Sequence, residues 1–333
     1  MSEEHKTMRI KDIAEALHLS VSTVSKALNG AFDLSKETKE MVLEYAKANG
    51  YKSRDERLSV KNKRRLCLIF EDANENPNNV ILPLSVSFSK YAAMNNFEVI
   101  QTPLSSITDS YNKFMAKNNF DGAFILGFNY NSHLDLADSK YPTVLYDNTL
   151  IGEKISNINN DNLNSFKALV DTLHNLGHEK IGFIHGDKAS FVSNERFAGY
   201  IIGLGMNDLQ FNPDYVYYGE FNQESGCAAA SYFKDLDCTA IICASDTIAL
   251  GLMHGLKEYG IKIPNDISVT GYDGLEIGKF VTPSLTTITQ DLDLIGEKAF
   301  GQIASMIMNR TSQRIVVNGK ITLRESIGPV KKN

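Results

Sequence analysis

Two groups of side chains in this sequence have the types and spacing to do chemistry. The first lies in IKDIAEALHLSVSTVSKALN, from Ile10 to Asn29. Ile10, Ile13, Ala14 and Leu17 recur at i, i+3, i+4 and i+7, the apolar stripe of one helix. Ser20 is a suitable N-cap for a second helix, with Leu19 placed to pack on Val24 as a hydrophobic staple. Val24, Ala27 and Leu28 then face inward, and Val21, Ser22, Ser25, Lys26 and Asn29 face outward. A face of small, hydrogen-bonding side chains with one cation can enter a DNA major groove and read base edges. On pattern alone, an ordinary amphipathic helical hairpin fits equally well.

The second group is a set of short polar residues just beyond apolar, strand-like runs: Asp147 after Thr143–Tyr146, Ser245-Asp246 after Ala240–Ala244, and Asp273 after Ile267–Tyr272. In open parallel sheets, ligands bind beyond the carboxyl ends of the strands. Carboxylates there accept hydrogen bonds from adjacent hydroxyls, which suits a polyhydroxyl ligand. Plainer roles are open to the same residues. Asp147 and Asp273 can cap loops, and Asp246 can cap a helix that starts at Thr247.

These groups need elements to position them. Glu37 and Glu40 suit the start of a third helix, with Ser35 as N-cap, an inner stripe of Met41, Val42, Tyr45 and Ala46, and Gly50 as a left-handed C-cap. From Leu66 onward, strands are expected at Leu66–Phe70, Phe97–Gln101, Gly122–Leu126 and Thr143–Tyr146, with helices near Leu84–Asn95, Tyr111–Asn118 and His133–Ser139. The rhythm then repeats. Strands at Lys180–His185, Tyr215–Tyr218, Ala240–Cys243 and Ile267–Gly271 alternate with helices at Asn164–Leu176, Asn194–Gly205, Ser225–Lys234 and Thr247–Tyr259. Such alternation implies parallel sheets flanked by helices, and two similar sets imply two subdomains facing across a cleft.

The net charge of −6 hides an asymmetry. Residues 1–65 hold 14 Lys+Arg against 10 Asp+Glu, and the remainder is acidic. A basic head on an acidic body suits a protein that presents one end to phosphates. The 333 residues, 43% of them hydrophobic, exceed one ordinary domain. The start has no apolar h-region and no run is long enough to span a bilayer, so a cytoplasmic protein without membrane contact is expected. Four cysteines without C-x-x-C or His at zinc spacing are expected to be buried reduced thiols. There is no G-x-x-x-x-G-K-[ST] loop, G-x-S-x-G elbow or H-E-x-x-H, and Gly203-Leu204-Gly205 lacks a third glycine. No catalytic residue, metal site or cofactor is expected.

The run Ile10-Lys11-Asp12-Ile13-Ala14, followed by Leu19-Ser20-Val21-Ser22-Thr23-Val24-Ser25-Lys26-Ala27-Leu28-Asn29-Gly30, resembles the head of the LacI/GalR family of bacterial transcriptional repressors. It departs from the family at Arg9, usually a Ser or Thr cap, and at His18, usually Gly in the turn. A residue at position 18 needs positive φ, which histidine tolerates better than most. The tail Leu323-Arg324-Glu325-Ser326 resembles the family's last strand, so the resemblance spans nearly the whole chain.

The resemblance implies an α/β protein: a small all-α helix-turn-helix head followed by two Rossmann-like parallel-sheet subdomains, as in periplasmic sugar-binding proteins. Head, hinge and body fall at 1–51, 52–65 and 66–333. Within the body, one subdomain takes about 66–160 and 291–318, and the other about 161–290 and 319–328. DNA contact is implied for Val21, Ser22, Thr23, Ser25, Lys26 and Asn29. The Lys- and Arg-rich linker would supply a minor-groove wedge, Leu58 or Val60, of the kind that kinks a duplex. Effector contact is implied for Asp147, Arg196, Phe221, Ser245, Asp273 and Leu292. Arg196 lies in Ser193-Asn194-Glu195-Arg196-Phe197-Ala198-Gly199, where a guanidinium offers a planar fork to hydroxyls. The partners implied are a palindromic double-stranded operator, a small-molecule effector such as a sugar, and a second copy of the chain. Some relatives instead use a purine, nucleoside or partner protein as corepressor.

Overall fold

The computed structural model describes residues 10–28, 36–49, 51, 63–71, 80–127 and 134–331. The chain divides into two compact units, Met1–Arg64 and Arg65–Asn333. In the first, helices α1 (Ile10–Ala16), α2 (Val21–Leu28) and α3 (Lys36–Ala48) enclose a core of Ile13, Ala14, Val24, Ala27, Val42 and Ala46. Leu17, Leu19, Leu28 and Tyr45 pack against it. Met41 does not join the inner stripe. It is exposed, because the buried pair Val42 and Ala46 at i and i+4 turns position 41 outward.

The turn between α1 and α2 follows from two residues. His18 takes a φ of +53°, as its place in the turn requires. Its N–H donates to the Glu15 carbonyl at 3.3 Å and that of Leu19 donates to Ala14 at 2.9 Å, a Schellman closure of α1. Ser20 then caps α2, its Oγ accepting from the Thr23 N–H at 3.0 Å. Expected features at Asn29, Ser35, Gly50, Leu58 and Val60 lie outside the described residues.

The second unit is built on two six-stranded sheets. The first contains β1 (Arg64–Phe70), β2 (Phe97–Pro103), β3 (Gly122–Leu126), β4 (Thr143–Tyr146), β5 (Ile155–Asn160) and β11 (Arg314–Val317), in the order β11-β5-β4-β3-β1-β2. The second contains β6 (Ile181–His185), β7 (Val216–Tyr218), β8 (Ala240–Cys243), β9 (Ser268–Asp273), β10 (Thr286–Thr289) and β12 (Lys320–Thr322), in the order β12-β10-β9-β8-β6-β7. Among the registers described, only β10–β12 is antiparallel. GAFIL, TVLY, IGFIH and AIIC are buried along their whole length, as befits parallel strands covered on both faces.

Helices α4 (Ile81–Met94), α5 (Tyr111–Lys117) and α10 (Leu292–Ile307) belong to the first sheet, and α6 (Asn162–Asn175), α7 (Phe191–Met206), α8 (Gln223–Phe233) and α9 (Asp246–Glu258) to the second. The chain crosses between the sheets after Asn160, Thr289 and Val317. Helices α8 and α9 touch backbone to backbone. A Cβ on Gly226 would lie 2.1 Å from the Ile248 carbonyl oxygen, so only glycine permits this approach.

Two further expectations are corrected. Residues 134–139 form no helix. Leu134 and Leu136 are buried at alternate positions, the spacing of extended chain. The last strand stops at Thr322. Beyond it Ser326 remains hydrogen-bonded, its carbonyl accepting from the Val269 N–H and its Oγ from the Thr286 N–H, both at 2.8 Å, as irregular chain. Four strands (β5, β10, β11 and β12) and helix α10 were not expected as separate elements.

Candidate functional site

On α2, Val21, Ser22 and Lys26 are exposed while Thr23 and Ser25 are half-buried. The Thr23 hydroxyl also bonds the Ser20 hydroxyl at 2.7 Å, so position 23 is shared between the cap and the outer face. Packing of Val24 and Ala27 inward turns the outer face outward. Two of the expected DNA contacts, Asn29 and Leu58, lie outside the described residues.

In the second unit, the strand ends bring one constellation together. Arg196, on α7, is 4% exposed. Its Nε donates to Asn162 Oδ1 at 3.0 Å and its Nη1 to the Ala244 carbonyl at 2.7 Å. Its Cζ lies 3.9 Å from the centroid of the Tyr272 ring, which itself stacks on Phe166. The guanidinium is therefore fixed by neutral acceptors and an aromatic face, not by a carboxylate.

Asp147, just after β4, and Asp273, the last residue of β9, have φ of +48° and +122°, backbone that non-glycine residues rarely adopt. The Asp147 carboxylate accepts from the Asn160 backbone N–H at 2.9 Å and from Asn160 Nδ2 at 3.1 Å. Asp273 Oδ1 accepts from Gln290 Nε2 at 2.8 Å. Burial pushes both carboxyls above the usual carboxylate range. Arg196 opposes that rise in both, and Asp246 adds to it at Asp273.

Ser245 is buried, and its Oγ caps α9 by accepting from the Ile248 N–H at 3.2 Å. The capping role that suited Asp246 thus falls to its neighbour. Asp246 instead accepts from the Thr287 hydroxyl at 2.6 Å and the Leu275 N–H at 2.7 Å, holding the loop after β9. Burial raises its carboxyl as well. Phe221 is half-buried with its ring against the backbone at Gly186, where a Cβ would fall 2.5 Å from Phe221 Cζ. The Arg196 Cζ is 5.8 Å from that ring. Leu292 lines a cavity of about 420 Å³ with Val80, Pro83, Asp273, Leu275 and Ile277.

The sequence reading missed the residues that tie these groups together. Tyr146 donates to Gln290 Oε1 at 2.6 Å, and Asn160 Nδ2 donates to Tyr146 and Gln290 at 2.6 and 2.9 Å. Through Gln290 this network joins the first sheet to Asp273 of the second. Tyr272 Oη and Asn160 Oδ1 are buried without a hydrogen-bond partner among the described residues, and such groups normally find one. The Tyr272-Asp273 pair was visible as a signal. Asn160 was hidden, since an asparagine run reads as loop.

Comparison with known proteins places this arrangement. Residues 9–53 match the model for bacterial regulatory proteins of the lacI family, and residues 170–327 match the periplasmic binding protein-like domain. The chain joins a lacI-family regulatory head to a periplasmic binding protein-like body. A ribose operon repressor of Haemophilus influenzae is 28% identical, over 97% of this chain and 99% of its own length. The HTH-type transcriptional repressor PurR of Pasteurella multocida is 26% identical, over 96% and 98%. A solved transcriptional regulator, CelR in complex with cellobiose, shares the fold with a TM-score of 0.72 at 22% identity, covering 96% of this chain and 99% of that one. With this head, and with relatives named as transcriptional repressors over nearly their full length, the chain is a transcriptional regulator. Among its described residues, no helix is long and apolar enough to cross a membrane.

Proposed function

We propose that the chain is a cytoplasmic, dimeric repressor that binds a palindromic operator through α2 and releases it when a sugar or sugar derivative enters the cleft. The observation that carries the effector reading is Arg196 beside two left-handed aspartates, Asp147 and Asp273, contributed by different sheets. Groups on both sides of a cleft favour the geometry in which all reach one ligand. An effector shifts the balance between two geometries only by its differential affinity for them. A hundredfold change in operator affinity therefore needs about 2.7 kcal/mol of preference.

Carbohydrate is favoured by the polyol-binding chemistry of the site and by the ribose and cellobiose in the names of two similar proteins. Dimerisation is supported by exposed apolar side chains on the body: Leu82 and Val86 one turn apart on α4, and Ile277 and Phe280 beyond β9. Asn29 and Leu58 complete the proposed DNA contacts.

The two units are separated by two variants. Lys26→Ala weakens operator binding and leaves effector binding unchanged. Arg196→Lys keeps the charge but loses the fork, so it binds operator normally and fails to respond to effector. Fluorescence anisotropy of labelled operator, with and without effector, reads both. A normal response from the Arg196 variant removes that residue from the site. The sign of the effector's action distinguishes induction from corepression.

A further inference from the structure

Counting charges in the cleft leads beyond the binding of hydroxyls. Among the described residues, neither Asp147 nor Asp273 is part of an ion pair, and their carboxylate oxygens accept from neutral groups, among them the amides of Asn160 and Gln290. The one guanidinium acting on both, Arg196, gives its Nε–H to Asn162 and one Nη1–H to the Ala244 carbonyl. Asp246 stands behind Asp273, and Glu195 adds a fourth carboxyl whose partner, Arg314, is 3.8 Å away and half-exposed. The cavity that Asp273 lines also takes apolar surface from Val80, Pro83 and Leu292 and a further carboxyl from Glu276, which is paired with Lys279 at 2.7 Å.

We propose that the cleft admits only effectors without negative charge: polyols, amino sugars or nucleosides whose donors meet Asp147 and Asp273 and whose C–H face lies on Val80, Pro83 and Leu292. It rejects phosphorylated and carboxylated sugars. The inference rests on the effector reading above and narrows it by charge. A neutral polyol hydrogen-bonds the carboxylates, and an ammonium group supplies the counter-ion the protein withholds. A phosphate or carboxylate would be desolvated beside the Asp147 and Asp273 carboxyls, which outnumber the single guanidinium of Arg196.

Thermal unfolding of the full chain tests this in two arms. The first uses matched sets at millimolar concentration: ribose and ribose 5-phosphate; glucose, glucosamine, glucuronate and glucose 6-phosphate; cytidine and cytidine monophosphate. Stabilisation is expected only from uncharged or amino members. A phosphate or uronate that raises the midpoint more than its uncharged counterpart overturns the charge limit and leaves the effector reading standing. A set in which nothing stabilises removes the effector reading and this inference with it.

The second arm needs no ligand. Asn keeps the shape of Asp and tolerates positive φ. The groups acting on Asp273 are Arg196, which favours its charge, and Asp246 and Asp147, which oppose it. A carboxyl raised in the folded state binds more protons than in the unfolded chain, so its stability cost grows as pH rises from the ordinary carboxylate range to about 7. Asp273→Asn therefore raises the midpoint of the ligand-free chain by a few degrees at pH 8, and the gain vanishes near pH 4. A midpoint lowered at pH 8 would show a carboxylate already satisfied by the protein and would overturn the proposal.

Discussion

Ser20 shows how much one side chain in the head controls. Its Oγ accepts the Thr23 N–H at 3.0 Å and anchors the first turn of an eight-residue helix. So short a helix has little stability of its own. Ser20→Ala is expected to cost about 1 kcal/mol. Hydrogen exchange of the α2 amides in the full chain should then quicken by roughly fivefold if they open locally; unchanged exchange would mean that tertiary packing alone holds the helix. Ser20 was legible in the sequence because capping chemistry is local, whereas the positive φ of His18 was read from the glycine that the resembling family usually carries there. Arg196 was legible only through a family resemblance. Nothing in its neighbours announces that its guanidinium lies on Tyr272, a contact across 76 residues of chain. Asn162, which orients Arg196, belongs to the same class.

At the scale of elements, the sequence was readable wherever strands are continuous apolar runs. Strand β5, ISNINN, escaped because half of it is asparagine. Yet Asn157, Asn159 and Asn160 are all buried, with amide donors satisfied by Leu150, Asn148 and Tyr146. Partners supplied by tertiary structure make a polar strand affordable, and a linear reading does not contain them. Strands β10, β11 and β12 escaped for another reason. Each has only three or four residues and depends on neighbours distant in sequence. Helix pairing was equally invisible, and its tightest case gives a test. Gly226→Ala would force α8 off α9 at the Ile248 carbonyl. Overpacking of this kind costs about 1–3 kcal/mol. Equilibrium urea unfolding should show a lower midpoint, and an unchanged midpoint would mean that the helices slide apart at no cost.

At the scale of the molecule, a basic segment of 65 residues precedes an acidic body. The charge separation favours one end for DNA, and the cleft lies wholly in the other unit. On the proposed function, one unit reads sequence and the other reads metabolic state. The reading of α2 is therefore testable without knowing the effector. Purified full-length protein should be used to select from random-sequence DNA near physiological salt, because binding to phosphates varies steeply with ionic strength. The enriched sites should share a two-fold symmetric motif that the Lys26→Ala protein binds more weakly. If the protein enriches no motif, with or without added sugars and nucleosides, the claim that α2 reads an operator is wrong.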